Sequence, residues 1–190
     1  MPDIEFLHDH LILDACCIIN LFASLAIEPI LSAMPLSIAV SKNVADKEAL
    51  FFYRGPADDI TAEKEIINLR SYVDNNVLRI VSLDEDTEAE TMVRFAGQLE
   101  DGEAATGAIA VNRNWAIGTD DKKATRIFRA HSPQIQIVST PEIIFHWASS
   151  HNPSPREVAE ALRNIQYKAF YQPDRDHNFY SWWIDSQNQL

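Results

Sequence analysis

The sequence predicts an α/β protein in which helices cover both faces of a parallel sheet. Two observations support this fold class. Five short apolar segments alternate with segments of helical periodicity, and the first of them carries no polar side chain on either face. The chain of 190 residues is long enough for one domain with a buried core, and its 46% hydrophobic and 23% charged residues exclude an intrinsically disordered protein.

The predicted strands are short, mostly apolar runs. The first run, residues 11–13, is stopped by Asp14 and has the composition of a parallel strand buried on both faces. The other four also precede segments of helical periodicity. In chain order the strands are expected at residues 11–13, 36–40, 77–81, 115–119 and 135–138.

The predicted helices carry apolar residues three and four positions apart. This spacing relates Ile18, Leu21 and Leu25 in the first helix, and Ser154 with Glu157 forms a capping box before the last one. The helices are expected at residues 17–27, 43–52, 61–75, 84–99, 102–114 and 122–131, followed by two that begin near residues 140 and 155.

The C-terminal part of the chain is expected to be an addition to one main domain. We expect residues 1–150 to form that domain. Residues 151–190 would add a helix and an aromatic tail, packed on the domain or on a partner. The tail contains Trp182 and Trp183, a pair that could stack on nucleic-acid bases but more often anchors a segment to protein.

The formal net charge of −12 at pH 7 limits the kinds of substrate that the surface can bind. It argues against a broad basic surface for nucleic acid. A polyanionic substrate would therefore need a local basic path or a metal ion. Solubility alone would also account for the acidic balance.

The two cysteines, Cys16 and Cys17, are adjacent and could not form an ordinary disulfide with each other. They lack the CxxC spacing of a zinc site, so we interpret them as buried thiols after the first strand. No apolar run approaches the length of a membrane helix, and the N-terminus lacks the pattern of a signal peptide. We therefore expect a cytoplasmic protein with no membrane partner.

Acidic residues follow two of the predicted strands. Asp14 ends the first strand, while Asp120 and Asp121 end the fourth; Glu103 lies in the first turn of the helix before the fourth strand. If the two strands are neighbours, these carboxylates converge at the carboxyl edge of the sheet, where α/β proteins bind ligands. Their repulsion would require a cation, and Mg²⁺ or Mn²⁺ prefers such oxygen ligands. Taken singly, each acid is better explained as a turn or cap residue. Taken together, and with their placement at strand ends, the acids favour a metal site.

Three segments of the chain resemble the PIN-domain family. The residues that carry the resemblance are Leu13-Asp14-Ala15 with Asn20-Leu21, Gly102-Glu103-Ala104-Ala105 with Ala108-Ile109-Ala110, and Gly118-Thr119-Asp120-Asp121-Lys122-Lys123-Ala124. The similarity is closest to the prokaryotic branch with a GEAxAIALA helix followed by a DD-K-A-R segment. It covers roughly residues 9–140, in the family's order and spacing.

The resemblance implies a three-layer α/β/α fold with a five-stranded parallel sheet, here with a C-terminal helical extension. It also implies an endoribonuclease that depends on Mg²⁺ or Mn²⁺ and hydrolyses RNA phosphodiesters. Many members of the family are toxins of toxin–antitoxin pairs. The implied partners are therefore RNA, a cognate antitoxin protein and a second copy of the chain.

The resemblance also assigns roles to residues by position. The implied metal ligands are the acids that match the family's motifs, namely Asp14, Glu103 and Asp121. Asp120 would support them in catalysis. The residues expected to contact substrate are polar or basic neighbours of these acids: Asn20, Thr119, Lys122 and Arg126.

One acidic position departs from the family's pattern. The family usually has a glutamate three residues after a valine on the helix that follows the second strand. Lys47 takes that position after Val44, with Asp46 and Glu48 on either side. We expect Glu48 to complete the catalytic set. Asp46 is the alternative, and the two face differently because two residues span about half a helical turn.

Two other functions are compatible with the same residues. The irregular acidic position and the acidic surface favour a catalytically weak or inactive PIN-like module that binds RNA or protein. A metal-dependent phosphoesterase with a different substrate is the second, since a fold does not fix its substrate.

Overall fold

The computed structural model of the protein describes residues 4–48, 50–55 and 63–189. In chain order its strands are β1 (His10–Leu13), β2 (Ser37–Ser41), β3 (Phe51–Tyr53), β4 (Lys64–Ile66), β5 (Arg79–Val81), β6 (Ala116–Gly118) and β7 (Ile137–Val138). Its helices are α1 (Ala15–Ala23), α2 (Ile27–Ala33), α3 (Lys42–Lys47), α4 (Arg70–Asp74), α5 (Thr87–Ala96), α6 (Asp101–Arg113), α7 (Lys122–His131), α8 (Thr140–Ser150), α9 (Pro155–Ala169) and α10 (Tyr180–Gln187).

Five of the strands form one parallel sheet in the order β5-β2-β1-β6-β7. Helices flank the sheet on both faces, and further helices follow at the C-terminus. The predicted fold class is therefore confirmed, with the layers of a three-layer α/β/α arrangement. The chain runs from β1 to β2 and β5 on one side, and later to β6 and β7 on the other. The strand order thus switches between β1 and β6, where α/β sheets bind ligands.

Side chains of β1 alternate between two buried cores, one on each face of the sheet. Leu11 and Leu13 lie in the core that includes α1, α2, α8 and α9, and Ile12 lies in the core that includes α5, α6 and α7. All three side chains are fully buried, and each contributes about 1.5–3 kcal/mol to folding through the hydrophobic effect. Because both faces of β1 are covered, its sequence contains no polar alternation.

The single helix predicted over residues 17–27 is wrong, because this segment contains the end of α1 and the start of α2. Leu25 has a positive φ of 60°, which interrupts the helix, and the Ser24 hydroxyl donates to the Leu21 carbonyl at the end of α1. Pro29 lies in the first turn of α2, where its missing N–H removes no helical hydrogen bond. The apolar spacing continues across the break because both helices pack into the same core.

Two further helices were predicted where the structure contains a small hairpin. The helix predicted at residues 43–52 ends at Lys47, and the aromatic segment that follows it forms β3. β3 pairs antiparallel with β4, which lies within the helix predicted at residues 61–75; α4 is the short helical part of that segment. Residues 61 and 62 lie outside the described residues. Aromatic side chains favour strands, and the pairing partner is set by tertiary structure rather than by local spacing.

The remaining strands and helices lie within three residues of their predicted bounds. The predicted capping box is present, since the Ser154 hydroxyl accepts from the Glu157 N–H and the Glu157 side chain accepts from the Ser154 N–H. A second capping box, formed by Ser139 and Glu142, begins α8.

The C-terminal extension packs on the elements that precede it. Helix α9 contacts α1, and α10 contacts α9. The Trp183 side chain is fully buried in the core that also contains Leu11 and Leu13. Since the extension shares this core, a domain boundary at residue 150 stays a prediction. No helix among the described residues is both long enough and apolar enough to cross a membrane.

Candidate metal centre

The carboxyl ends of β1 and β6 lie side by side at the switch in strand order. Leu13 is in register with Gly118, and the backbone N–H of Asp14 donates to the Gly118 carbonyl (2.9 Å). Asp14 and residues 119–121 therefore start from the same edge of the sheet. The sequence predicted that these carboxylates converge if the first and fourth predicted strands are neighbours. The pairing of β1 with β6 meets that condition.

Asp14 is a buried carboxylate at the start of α1. Its Oδ1 accepts from the backbone N–H of Ala15 (2.9 Å), and its Oδ2 accepts from the Thr119 hydroxyl (3.3 Å). Asp14 is 3% exposed. This burial raises its pKa to about 7, an effect that the negative charges of Glu103 and Glu48 increase and the two hydrogen bonds oppose. A cation beside Asp14 would favour its charged form.

Glu103 lies in the first turn of α6, where it belongs to a capping box. Its Oε2 accepts from the backbone N–H of Glu100 (3.2 Å). Burial raises the pKa of Glu103, and the charges of Asp121 and Glu100 raise it further, whereas the capping hydrogen bond and Lys123 lower it. Glu103 is therefore within electrostatic reach of both Asp14 and Asp121.

Asp121 caps α7 and is tied to Asp14 through Thr119. Its Oδ1 accepts from the backbone N–H of Ala124 (2.6 Å), and its own N–H donates to the Thr119 hydroxyl oxygen (3.2 Å). Thr119 thus contacts Asp121 with the same hydroxyl group that donates to Asp14. The second carboxylate oxygen of Asp121 has no hydrogen-bond partner among the described residues.

Glu48 is the candidate that the structure places beside these acids. It follows α3 and is half-buried, and its carboxylate lies against Gly102 at the start of α6, where an added methyl group would overlap it. Burial raises the pKa of Glu48, and the charges of Glu100 and Asp101 raise it further. Asp46 is exposed and lines a different groove, together with residues of β4 and α4.

The donors at this edge fit a hard divalent cation. Asp14, Glu48, Glu103 and Asp121 offer only carboxylate oxygens, which suit Mg²⁺ or Mn²⁺. Among the described residues, no three of these carboxylates place ligand atoms all within 4.8 Å of one another. Mg²⁺ keeps several waters and uses one or two direct carboxylates. These acids therefore do not form a compact set of direct ligands, and an ion shared by them would need water molecules between it and some of the carboxylates.

Asp120 is not part of this group, because its carboxylate is occupied by hydrogen bonds. Its Oδ1 accepts from the Thr140 N–H (2.9 Å) and the Tyr171 hydroxyl (2.8 Å). Its Oδ2 accepts from the Asn20 side chain (2.9 Å) and the Thr140 hydroxyl. Asn20 is correspondingly buried and binds Asp120 rather than lining an open site. We call this set of four residues the Asp120 network.

Two members of the Asp120 network were missed by the sequence analysis. Thr140 precedes Pro141 at the start of a predicted helix, so its position next to a helix start was visible, although its partner was not. Tyr171 lies 51 residues after Asp120, in the part of the chain that the family resemblance does not cover. No local pattern could have connected it with the acids.

The two cysteines lie between the Asp120 network and Asp14. Cys17 is buried and Cys16 is half-buried, so the prediction of two buried thiols holds for Cys17 only. Their sulfurs and an Asp120 oxygen are the one set of three ligand atoms within 4.8 Å of one another in the described chain. Burial raises the pKa of Cys17 well above its usual range. Burial thus favours the neutral thiol of Cys17, and both carboxylate oxygens of Asp120 accept hydrogen bonds within its network.

A cleft of about 610 Å³ lies between α7 and the segment 171–179 that connects α9 to α10, and its lining includes Thr119 and Asp120 but none of the four grouped acids. We call it the α7 cleft. Lys122, at its α7 side, contacts Asp174 (2.7 Å) and Asp176 (3.6 Å) across the cleft. Arg126, the other basic residue predicted near substrate, also lines it.

Comparisons with known proteins add no family assignment. No protein-family model matches the chain, and no curated protein matches it.

Proposed function

We propose that the protein is a PIN-type endoribonuclease that uses Mg²⁺ or Mn²⁺ to hydrolyse RNA phosphodiesters. The observation that carries this proposal is the grouping of Asp14, Glu48, Glu103 and Asp121 at the switch in strand order. Burying carboxylates next to one another lowers stability unless a cation accompanies them. A functional role accounts for this cost.

Within the proposed site, the protein's own residues position the ligands. Asp14, Glu103 and Asp121 would hold the ion, and each is fixed by a cap that uses one of its oxygens. Thr119 aligns Asp14 with Asp121, and Glu48 adds negative charge. A bound divalent ion would supply Lewis acidity and lower the pKa of a coordinated water.

The basic residues of α7 would bind the substrate beside the metal. Lys122 and Arg126 are exposed and can reach phosphate oxygens, which the overall acidic surface would otherwise repel. Thr119 and Asn20 would act indirectly, because their polar groups are engaged with other residues of the site. Such an enzyme would act on RNA in the cytoplasm, where its two free thiols stay reduced.

The further assignment to a toxin–antitoxin pair is also a proposal, and it follows from the family resemblance. It predicts that expression arrests growth and that an antitoxin protein relieves the arrest. Asp14→Asn should abolish the arrest if cleavage causes it. A homodimer, which the resemblance also implies, would be detected by light scattering.

The experiment that tests the nuclease is cleavage of a mixed RNA pool by the full chain. It is run with Mn²⁺, with Mg²⁺ and with EDTA, beside the Asp14→Asn variant. The proposal expects cleavage that needs both the metal and Asp14. A folded protein that cleaves no RNA with either metal would overturn it, and cleavage of DNA but not RNA would redirect it to another phosphodiester.

A binding module without catalysis is the second candidate, and one observation favours it. No three of the grouped acids lie within 4.8 Å of one another among the described residues, and Asp14, Glu103 and Asp121 each cap a helix. This candidate expects RNA or protein binding that Asp14→Asn leaves unchanged. The same cleavage and growth assays therefore distinguish it from the nuclease.

A further inference from the structure

The α7 cleft adjoins the proposed metal site and carries basic side chains along one wall. Lys122, Arg126 and Arg129 follow one another at intervals of four and three residues, which places them on one face of α7. All three line the cleft, as do Thr119 and Asp120, whereas the four grouped acids do not line it. A ligand in this cleft would therefore lie along α7 and reach Thr119, whose hydroxyl donates to Asp14.

The acidic side chains of the cleft already have partners. Asp120 is occupied within its network. Glu142 accepts hydrogen bonds from the residue that caps α8. Asp174 and Asp176 contact Lys122. The acidic side chains of the cleft thus all have protein partners, but only Lys122 offsets their charge.

The two arginines, by contrast, have no such partner. Within residues 4–48, 50–55 and 63–189, no carboxylate lies within 4.0 Å of the guanidinium of Arg126 or Arg129. Both side chains are exposed. Guanidinium groups bind phosphate oxygens through paired hydrogen bonds, so these are the groups that remain available to an anion.

We infer that the α7 cleft binds the backbone of single-stranded RNA, with Arg126 and Arg129 contacting successive phosphates next to the proposed metal site. This inference depends on the proposed function for the nature of the polymer. The cleft volume of about 610 Å³ lies in the range of pockets that enclose small ligands, so it accommodates a few nucleotides of one strand rather than a duplex.

The acids of the connecting segment compete with RNA for Lys122. Lys122 is 70% exposed, and Asp174 and Asp176 are 63% and 81% exposed. Exposed ion pairs of this kind are weak because water and salt screen them. An arriving phosphate can replace the two carboxylates on Lys122, and the acids then repel the strand, which sets an upper limit on its affinity.

The test is fluorescence anisotropy with a labelled single-stranded RNA of mixed sequence, about 12 nucleotides long. EDTA is present so that no cleavage occurs, and the salt concentration is varied. Arg126→Gln and Arg129→Gln should each weaken binding several-fold and reduce the salt slope by about 0.7. The control is Arg156→Gln on α9, which removes the same charge from an exposed arginine outside the cleft.

A second pair of variants is expected to act in the opposite direction. Asp174→Asn combined with Asp176→Asn should tighten RNA binding, because the competitors of Lys122 are removed. The matched control is Glu90→Gln combined with Glu160→Gln, which removes two exposed acids that also pair with basic residues. The cleft variant should bind RNA more tightly than this control at the same net charge.

The outcomes separate the cleft from the catalytic proposal. Equal binding by the arginine variants and their control, or no RNA binding by the wild-type protein, overturns the cleft assignment. A preference for the DNA strand of the same sequence overturns the assignment to RNA. Arginine-dependent RNA binding without metal-dependent cleavage supports the cleft assignment and rejects the nuclease. Asp14-dependent cleavage that neither arginine variant reduces supports the nuclease and rejects the cleft assignment.

Discussion

Asp14 shows how a single residue can be placed at the expense of stability. Its carboxyl group is almost fully buried, accepts from the Ala15 N–H, the Thr119 hydroxyl and the Cys16 thiol, and lies near two other acids. Its ordinary pKa of 3.8 rises to about 7. The folded protein therefore holds a proton that the unfolded chain releases, over the interval between those two values.

This difference predicts a pH dependence of stability. Between about pH 4 and pH 7 the folded state binds the extra proton, so the free energy of unfolding falls as the pH rises. The stability that the protonated Asp14 contributes is fully present below pH 4 and is lost above pH 7. The free energy of unfolding falls by about 4 kcal/mol in total over this interval. Asp14→Asn keeps a capping oxygen but cannot ionise, so it should be more stable than wild type at pH 8 and similar at pH 4.

Urea unfolding in EDTA at several pH values measures this effect, with the wild-type protein as reference. Glu48 and Glu103 also have raised pKa values, so the variant should keep part of the slope. If the free energy of unfolding depends on pH in the same way for Asp14→Asn and for wild type, the account of a buried, protonated Asp14 is contradicted.

Gly102 gives the Glu48 carboxylate the space it occupies. A methyl group at position 102 would overlap the flexible end of Glu48, while the backbone could stay in place. We predict that Gly102→Ala leaves the fold intact and weakens Mn²⁺ binding about tenfold, as loss of a supporting group does. Gly97→Ala is the control, because its added methyl group meets only the Arg94 carbonyl oxygen at 3.7 Å.

Calorimetric titration with Mn²⁺ compares the two alanine variants, and circular dichroism checks their folding. Unchanged Mn²⁺ affinity in Gly102→Ala would mean that Glu48 takes no part in holding the ion. A loss of affinity in Gly97→Ala as well would show that the effect is not local to the acids.

Sequence reasoning at the residue scale identified acids but not their hydrogen-bond partners. Asp14, Glu103 and Asp121 were visible because each stands at a strand end or a helix start. Asp120 has the same local context as Asp121, yet its carboxylate oxygens accept hydrogen bonds from Tyr171 and Thr140. That difference depends on contacts between distant parts of the chain, which no local pattern contains.

At the scale of elements, the contact between α6 and the Phe128 ring of α7 depends on a glycine. A methyl group at Gly107 would overlap the ring of Phe128, which is 1% exposed and packs edge-on against Phe95. The ring has no room to move away. We predict that Gly107→Ala lowers the free energy of unfolding by about 1–3 kcal/mol, the usual cost of overfilling a core.

Urea unfolding measures this cost by comparing Gly107→Ala with Gly97→Ala, which carries the same chemical change at another position. Both variants add one methyl group to a glycine, so any general effect of alanine on the backbone is shared. Stabilities that agree within about 0.5 kcal/mol would mean that the two helices adjust to the extra group without strain.

The elements predicted correctly are those whose own pattern matches their environment. The apolar run of β1 reflects burial on both faces, and α7 begins and ends at the predicted residues. The β3–β4 hairpin was missed because Ile66, Leu69 and Val73 have helical spacing, although they belong to a strand, a loop and a short helix. Pairing with β3, rather than local spacing, determines the structure of that segment.

At the scale of the whole molecule, the Asp120 network joins the C-terminal extension to the sheet edge. Asp120 connects α1 through Asn20, α8 through Thr140, and the segment after α9 through Tyr171. The buried Trp183 side chain lies near the Tyr171 ring, with ring centroids 5.9 Å apart. The network therefore fixes the extension on the domain, beside the α7 cleft.

We predict that Asp120→Asn destabilises the protein by about 2–4 kcal/mol, because a half-buried acceptor of several hydrogen bonds gains an N–H₂ group facing donors. Tyr171→Phe removes one donor and should cost about 1–2 kcal/mol. Thermal unfolding followed by tryptophan fluorescence measures both variants. An Asp120→Asn protein as stable as wild type would show that the network does not hold the extension.

The central claim is that the grouped acids form a divalent-metal site from which Asp120 is excluded. Calorimetric titration with Mn²⁺ tests it directly on the wild-type protein and on Asp14→Asn, Glu103→Gln and Asp120→Asn. The account predicts that wild type and Asp120→Asn bind a single ion per chain, and that Asp14→Asn and Glu103→Gln bind it at least about tenfold more weakly. Absence of Mn²⁺ binding by the folded wild-type protein, or equal binding by all four proteins, would contradict it.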